Sequence, residues 1–248
     1  MKKIKLFCIP YAGGSATVYS KWKRLVSANI EIVEVELTGR GRRINEALID
    51  NMDDMIEDIY TSIKDQLQEP YAIFGHSMGG LITYELCQRL KKESHQDPVH
   101  IFISGRKAPH IKNPFYDYHD LPFDEFVKKI VNYGGMEREI FENKELAEIF
   151  VPILRADFKL IETYEYSQSN HRLDYDFSIF HGNNDHTIQW NDIIQWDEII
   201  SGNSKYHRIP GGHFFINENT RQVTDIVCNV LGNEINSLTK GMGPTFNV

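Results

Sequence analysis

The sequence predicts a single α/β domain with a doubly wound, mostly parallel sheet and an inserted helical lid. Short apolar runs rich in Ile, Val and Phe alternate with helical patterns, as parallel strands joined by crossover helices require. The chain has 248 residues, of which 41% are hydrophobic and 25% charged, and α/β folds of this length are often undivided. The predicted strands are residues 4–9, 30–37, 71–75, 99–104, 177–181 and 205–209.

Helices are predicted where apolar residues recur at helical spacing. The clearest pattern covers residues 52–67, with Asp50 or Asn51 placed to cap it. Two others, at 78–90 and 220–231, would pack on the sheet.

The long stretch between the fourth and fifth strands has helical patterns at 123–132 and 144–166 but no convincing strand. An insertion of this length, about 108–168, is more often a lid over a site than a second domain. We therefore expect one domain over residues 1–236. Residues 237–248 lack periodicity, which predicts a disordered tail.

Composition narrows the range of partners. The balance of 27 Lys and Arg against 35 Asp and Glu gives a formal charge of −8, which would repel nucleic acid and anionic membranes. No apolar run approaches the roughly 20 residues of a membrane helix. The three cysteines form no CxxC pair, and metal-ligand spacings are missing from the sequence, so we expect a cytoplasmic protein without metal or cofactor. A monomer is the default expectation.

The strongest chemical signal is Gly75-His76-Ser77-Met78-Gly79, which lies between a predicted strand and a predicted helix. This context is typical of a nucleophile elbow, in which flanking glycines allow a tight turn that exposes the serine above the sheet. The alternative is a chance match to a short motif, which the flanking elements disfavour. Ser77 is therefore the predicted nucleophile.

A serine nucleophile needs a base and an orienting acid, here in the chain order serine, acid, histidine. Asp185 follows the fifth strand in a turn-rich segment, and His213 lies in a glycine loop after the last strand. The other nine histidines precede Asp185, lie in strands, or adjoin the serine or the acid. The segment after the fourth strand, Gly105-Arg106-Lys107, carries no carboxylate that could replace Asp185.

Acyl transfer also needs two backbone N–H groups to hold the oxyanion. Met78, directly after the serine, is the first predicted donor. The loop Pro10-Tyr11-Ala12-Gly13-Gly14 after the first strand would supply the second through Ala12. A glycine pair alone is a weak signal, but no Gly-Lys-Ser/Thr follows it, so a Walker nucleotide site is rejected.

Basic residues cluster at Arg40, Arg42 and Arg43, and again at Arg106 and Lys107. Such clusters are usually solvated loops that pair with nearby acids, and we favour that interpretation. The alternative is an anchor for a phosphate on the substrate or its carrier.

Taken together, these motifs resemble the type II thioesterases that accompany nonribosomal peptide and polyketide synthetases. The resemblance runs from about residue 5 to 231, and the combination is more specific than any single motif. One departure is Thr38, where the family commonly has proline. The segments that carry the resemblance are Pro10 to Gly14, Gly39-Arg40-Gly41, Gly75 to Gly79, Leu154-Arg155-Ala156-Asp157-Phe158 with Glu162-Thr163-Tyr164, and Gly211-Gly212-His213-Phe214.

The resemblance implies an α/β-hydrolase fold with a mobile lid and a Ser77, Asp185 and His213 triad with Ala12 and Met78 as oxyanion donors. It also implies the substrate, an acyl group in thioester linkage to the phosphopantetheine arm of an acyl or peptidyl carrier protein. The lid would line the acyl pocket, with candidate residues Phe115, Phe123, Phe126, Phe150, Leu154 and Phe158.

Two alternatives stay open. The same triad would serve a thioesterase or esterase that acts on acyl-CoA or on fatty-acyl carrier substrates. A non-catalytic scaffold is less favoured, since the ordered triad is complete.

Overall fold

The structure, a computed structural model, describes residues 3–93, 95–111 and 117–240. Six strands form one sheet in the order β2-β1-β3-β4-β5-β6, and every neighbouring pair is parallel. The predicted parallel α/β class is therefore confirmed. The strands are β1 (Ile4–Ile9), β2 (Ile30–Glu34), β3 (Tyr71–His76), β4 (His100–Ser104), β5 (Phe177–Gly182) and β6 (Ser204–Ile209).

Helices cover both faces of the sheet, because alternate side chains of each strand point to opposite sides. The helices are α1 (Met52–Ile63), α2 (Met78–Leu90), α3 (Phe123–Tyr133), α4 (Arg138–Glu142), α5 (Lys144–Glu162), α6 (Trp190–Ile193), α7 (Phe215–Glu218) and α8 (Thr220–Lys240). Helices α1 and α2 pack on one face, and α8 packs on the other with the 3-10 helix Ala16–Arg24.

Helix α1 shows how the sequence pattern produces its packing. Met55, Ile59 and Ile63 recur at fourfold spacing and are buried against the sheet. Asn51 caps the helix, its side-chain oxygen accepting a hydrogen bond of 3.0 Å from the backbone N–H of Asp54. Of the two predicted caps, Asn51 is the one observed.

The last helix is longer than its apolar pattern predicts. Helix α8 continues to Lys240, past the predicted end at residue 231 and into the segment expected to be a disordered tail. Ile235 prolongs the inward face by one more turn and packs against the core. Residues 241–248, the rest of the predicted tail, lie outside the described part of the chain.

Helices α3 to α5 form the insertion between β4 and β5, and we call residues 117–162 the lid. Its own apolar cluster is built on Phe126, Ile130, Phe141 and Leu154. Within the described ranges no helix is long and apolar enough to cross a bilayer.

Candidate active site

The turn between β3 and α2 places Ser77 at the carboxyl edge of the sheet. Ser77 has φ 54° and ψ −114°, and it is the one non-glycine residue with positive φ in the described chain. A Cβ on Gly75 would lie 2.0 Å from the Gly79 carbonyl oxygen, and one on Gly79 would lie 2.3 Å from that of Ile9. Both glycines are therefore required by close backbone approach, and the strained serine is held at the N-terminus of a helix.

Three predicted residues meet in one hydrogen-bonded chain. His213 Nε2 lies 2.8 Å from Ser77 Oγ, and His213 Nδ1 lies 2.7 Å from Asp185 Oδ2. Asp185 and His213 are buried, while Ser77 is partly exposed. A histidine that bonds a serine with one nitrogen and a carboxylate with the other can accept the serine proton and keep the resulting charge paired.

Asp185 is held as a carboxylate. Burial alone would raise its pKa, but the hydrogen bond and charge of His213, with hydrogen bonds from Thr187, lower the pKa to about 2. The backbone N–H and hydroxyl of Thr187 donate to Asp185 Oδ1 at 2.8 Å and 2.6 Å. Oδ1 is thus occupied by Thr187, which leaves Oδ2 to face the imidazole.

His76 adjoins Ser77 but makes its side-chain hydrogen bond with Ser104. Its Nδ1 lies 2.8 Å from Ser104 Oγ, and its ring packs between aromatic neighbours under the site. Burial, followed by the charge of His213, lowers the pKa of His76 well below its usual value. His76 is therefore a neutral packing residue beneath the triad.

The two predicted oxyanion donors lie on different elements of the fold. Met78 begins α2, and Ala12 lies in the loop after β1, where Gly14 N–H closes a turn onto the Tyr11 carbonyl at 2.9 Å. Gly13 has φ 75°, and a Cβ there would lie 2.6 Å from Leu154 Cδ2 of the lid. The loop therefore needs glycine for its backbone and for contact with the lid.

The predicted pocket residues divide into three groups. Phe126 and Leu154 are buried in the lid cluster, and Phe158 packs against it. Phe150 is half-buried, whereas Phe123 is 45% exposed and is not brought into that cluster. Phe115 lies outside the described residues.

Two residues that sequence reasoning missed complete the surroundings of His213. Tyr133, on the last turn of α3, stands edge-on to the His213 ring at 6.0 Å between centroids and contacts Phe158 at 5.9 Å. Phe214 stands edge-on to the same ring at 5.2 Å. Phe214 directly follows His213 in the glycine loop, whereas no local sequence pattern marks Tyr133.

Arg40 is not in a solvated loop, contrary to the favoured interpretation of its cluster. It is buried and forms a two-pronged ion pair with Asp157 of α5, with both distances 2.6 Å. Arg43 pairs with Glu46 and Asp58, as expected for a loop cation. Arg106 is also buried, and burial lowers its pKa.

Comparison with known proteins identifies the family of this chain. Residues 4–231 match the thioesterase domain family. Gramicidin S biosynthesis protein GrsT of Aneurinibacillus migulanus is 33% identical over 229 residues, covering 92% of this chain and 89% of that protein. The medium-chain S-acyl fatty acid synthase thioesterase of Rattus norvegicus is 30% identical over 241 residues, covering 95% and 90%.

A solved structure agrees with the fold as well as the sequence. The crystal structure of ClbQ from the colibactin NRPS/PKS pathway superposes with a TM-score of 0.89 at 33% identity, covering 94% of this chain and 98% of that one. The fold is thus of the α/β-hydrolase type found in thioesterases, and the resemblance to type II thioesterases is confirmed. The chain belongs to the thioesterase family.

Proposed function

We propose that this thioesterase hydrolyses acyl groups from the phosphopantetheine arm of acyl or peptidyl carrier proteins, and so clears wrongly loaded carriers of a nonribosomal peptide or polyketide synthetase. The observation that carries the chemistry is the continuous hydrogen-bonded chain from Ser77 through His213 to Asp185. The carrier substrate is supported by relatives named for gramicidin S biosynthesis and for the colibactin NRPS/PKS pathway.

In the first half of the reaction, Ser77 Oγ attacks the thioester carbon while His213 Nε2 takes the hydroxyl proton. The carbonyl oxygen gains negative charge, which the N–H groups of Ala12 and Met78 stabilise together with the positive end of α2. The C–S bond then breaks, His213 returns the proton to the departing sulfur, and an acyl ester remains on Ser77.

In the second half, water attacks the ester carbon and gives a proton to His213. The bond to Ser77 Oγ breaks, the serine regains a proton from His213, and the free acid leaves. Asp185 stays ionised throughout, because its pKa of about 2 lies far below neutral pH.

The lid supplies the acyl pocket in this proposal. Leu154 lies against the loop after β1 at Gly13, and Phe158 contacts Tyr133, which in turn contacts His213. Both positions support a role in binding an acyl chain attached to Ser77. Phe126 and Phe150 would extend this wall. Phe123 and Phe115 remain candidates on the sequence argument alone.

The test compares a carrier with a small substrate. One carrier protein bearing acetyl-phosphopantetheine is incubated with wild-type enzyme or Ser77→Ala, and acetyl loss is followed by intact mass beside acetyl-N-acetylcysteamine. We expect rapid, Ser77-dependent loss from the carrier and much slower turnover of the small thioester. Equal rates on both substrates would contradict carrier recognition.

The rat medium-chain relative favours one second candidate, a thioesterase for fatty-acyl substrates. A series of acyl groups from two to twelve carbons on the same carrier, and on coenzyme A, separates the two. A rate that rises steeply with chain length would favour this second candidate, and fast release of short acyl groups would favour the first.

A further inference from the structure

Three segments that are far apart in the sequence meet at one buried carboxylate. Asp157 Oδ2 accepts a hydrogen bond of 2.7 Å from the backbone N–H of Gly13 and one of 2.6 Å from Arg40 Nη1. Asp157 Oδ1 accepts a second bond of 2.6 Å from Arg40 Nη2. A lid helix, the loop after β2 and the loop after β1 are thereby joined.

This cluster is closed to solvent. The side chain of Asp157 is 0% exposed and that of Arg40 is 3% exposed. Two ions leave water only if their geometry and remaining hydrogen bonds offset the lost hydration. Arg40 meets this need with Asp157 and a further bond of 3.3 Å to the Gly14 carbonyl. The ion pair therefore makes two hydrogen bonds to the glycine loop, one to Gly13 N–H and one to the Gly14 carbonyl.

The peptide bonded to Asp157 lies next to the N–H of Ala12, the proposed oxyanion donor. Gly13 N–H belongs to the peptide that links Ala12 to Gly13, so its bond to Asp157 fixes the orientation of that peptide. Gly13 has positive φ, and because glycine lacks a Cβ its backbone can also adopt other φ/ψ regions. A fixed peptide on one side of Ala12 limits the rotation that would turn its own N–H away from the substrate.

We infer that Asp157 is a positioning residue for the oxyanion hole, with Arg40 as its counter-ion, so that lid helix α5 sets the direction of the Ala12 N–H. Leu154, one turn earlier on α5, covers the other side of Gly13 and supports the same loop. This inference rests on the proposed catalytic role of Ala12, and it gives α5 a part in transition-state stabilisation beyond lining a pocket.

The expected signature is a loss of turnover without a matching loss of substrate binding. Removal of one oxyanion donor costs about 10²–10³ in turnover. Asp157→Ala should approach that loss while KM changes little. Asp157→Asn keeps an oxygen for Gly13 N–H and should recover part of the loss, even though Arg40 then lacks a charged partner.

The control is another lid ion pair on the same helix. Lys159 Nζ lies 2.6 Å from Asp50 Oδ2, joining α5 to the main body at an exposed position. Lys159→Ala should leave turnover and KM unchanged. This variant reports what the loss of a lid contact does by itself.

The experiment measures hydrolysis of p-nitrophenyl acetate and inhibition by a short alkyl trifluoromethyl ketone, whose adduct with Ser77 carries an oxyanion. Neither probe needs a carrier, so a failure of carrier recognition leaves this test intact. The inference requires that Asp157→Ala weaken the ketone by about the same factor as kcat/KM, with binding of the acetate product unchanged. Equal weakening of ketone and acetate, or no change in ketone affinity, would overturn it.

Loss of a buried partner could prevent Asp157→Ala from folding. The double variant Arg40→Gln with Asp157→Asn removes both charges together and retains polar groups of similar size. With its fold checked by circular dichroism, we expect the double variant to bind the ketone less tightly than wild type does. Wild-type ketone affinity in the double variant and in Asp157→Asn would contradict the inference.

Discussion

The ring of Tyr133 stands edge-on to the imidazole of His213, with 6.0 Å between ring centroids. Tyr133 ends the first helix of the lid, and His213 lies in the loop after the last strand of the sheet. The lid therefore contacts His213, the general base of the proposed triad, directly. A disturbance at this end of the lid should be felt by the reaction.

Gly134 and Gly135 offer a matched pair for testing that contact. Both have positive φ, so alanine is strained at either position. A Cβ on Gly135 would lie 2.3 Å from Phe214 Cζ, whereas one on Gly134 would approach Phe214 only to 3.5 Å. We expect Gly135→Ala to lower kcat/KM by about tenfold to a hundredfold, as small misplacements near a catalytic group do.

Gly134→Ala is the control for backbone strain. It should lower the melting temperature to a similar degree while changing kcat/KM much less. Equal kinetic effects in the two variants would show that strain, and not the push on Phe214, disturbs the site.

The backbone of Ser77 is strained, in the tight turn that leaves its side chain partly exposed. We expect Ser77→Ala to lose about 10⁶ in turnover while keeping its fold, in line with nucleophile removal in other serine hydrolases. Ser77→Gly should be equally inactive but more stable than Ser77→Ala by about 1 kcal/mol, because glycine accepts φ 54° without the cost of a Cβ. Urea unfolding of both variants measures the difference, and equal stability would argue against strain at the elbow.

Asp185 links activity to acid stability. Asp185→Asn should lower turnover by about 10⁴, because the amide no longer holds the right tautomer of His213. The folded pKa of Asp185 is lowered to about 2, below the value of about 3.9 for an unfolded chain. Its contribution to stability is therefore present above about pH 4 and is lost as pH falls towards about 2.

The check is the free energy of unfolding of wild type and Asp185→Asn at several pH values between about 5 and 3. The gap between the two proteins should narrow as pH falls. A gap that stays constant would mean that the carboxylate is not stabilised as an ion by His213 and Thr187.

His100 is expected to make the fold sensitive to mild acid. It is buried beside Ser178, with its Nε2 at 2.9 Å from the serine oxygen, and burial lowers its pKa to about 4. Because the unfolded value is about 6.5, the unfolded chain binds the proton more readily. Stability is complete above about pH 6.5 and falls as pH drops towards about 4, by up to about 1.4 kcal/mol per pH unit.

Replacement of His100 by glutamine removes this titration while keeping a polar group near Ser178. The slope of unfolding free energy against pH between about 6 and 4 should then be shallower than in wild type. The difference is up to about 1.4 kcal/mol per pH unit, which corresponds to one proton. An unchanged slope would assign the acid sensitivity to other histidines.

The sequence predicts most of what is local in this protein. Parallel strands follow from buried apolar runs, and the elbow follows from glycines that flank Ser77, because both depend on neighbours in the chain. Chain order then selects Asp185 and His213 from many acids and histidines. The extension of α8 was missed because Ile235 is the one apolar side chain in the polar segment 233–237.

Contacts between distant segments could not be predicted from local sequence patterns. Arg40 and Asp157 are separated by 117 positions, and a charged loop is usually solvated, so nothing local predicts their burial as a pair. Tyr133 likewise ends an ordinary amphipathic helix, and only the fold brings it to His213. These are the contacts that join the lid to the site.

An acyl group should be bonded to Ser77 during turnover, and the enzyme itself can be analysed for it. Wild-type protein is mixed with a slight excess of an acyl thioester, quenched within milliseconds, digested and analysed by mass spectrometry. We expect the acyl mass on the peptide that contains Ser77, at a level that rises and then decays as free acid forms. Acid release without this acyl peptide, or undiminished release by Ser77→Ala, would contradict the account.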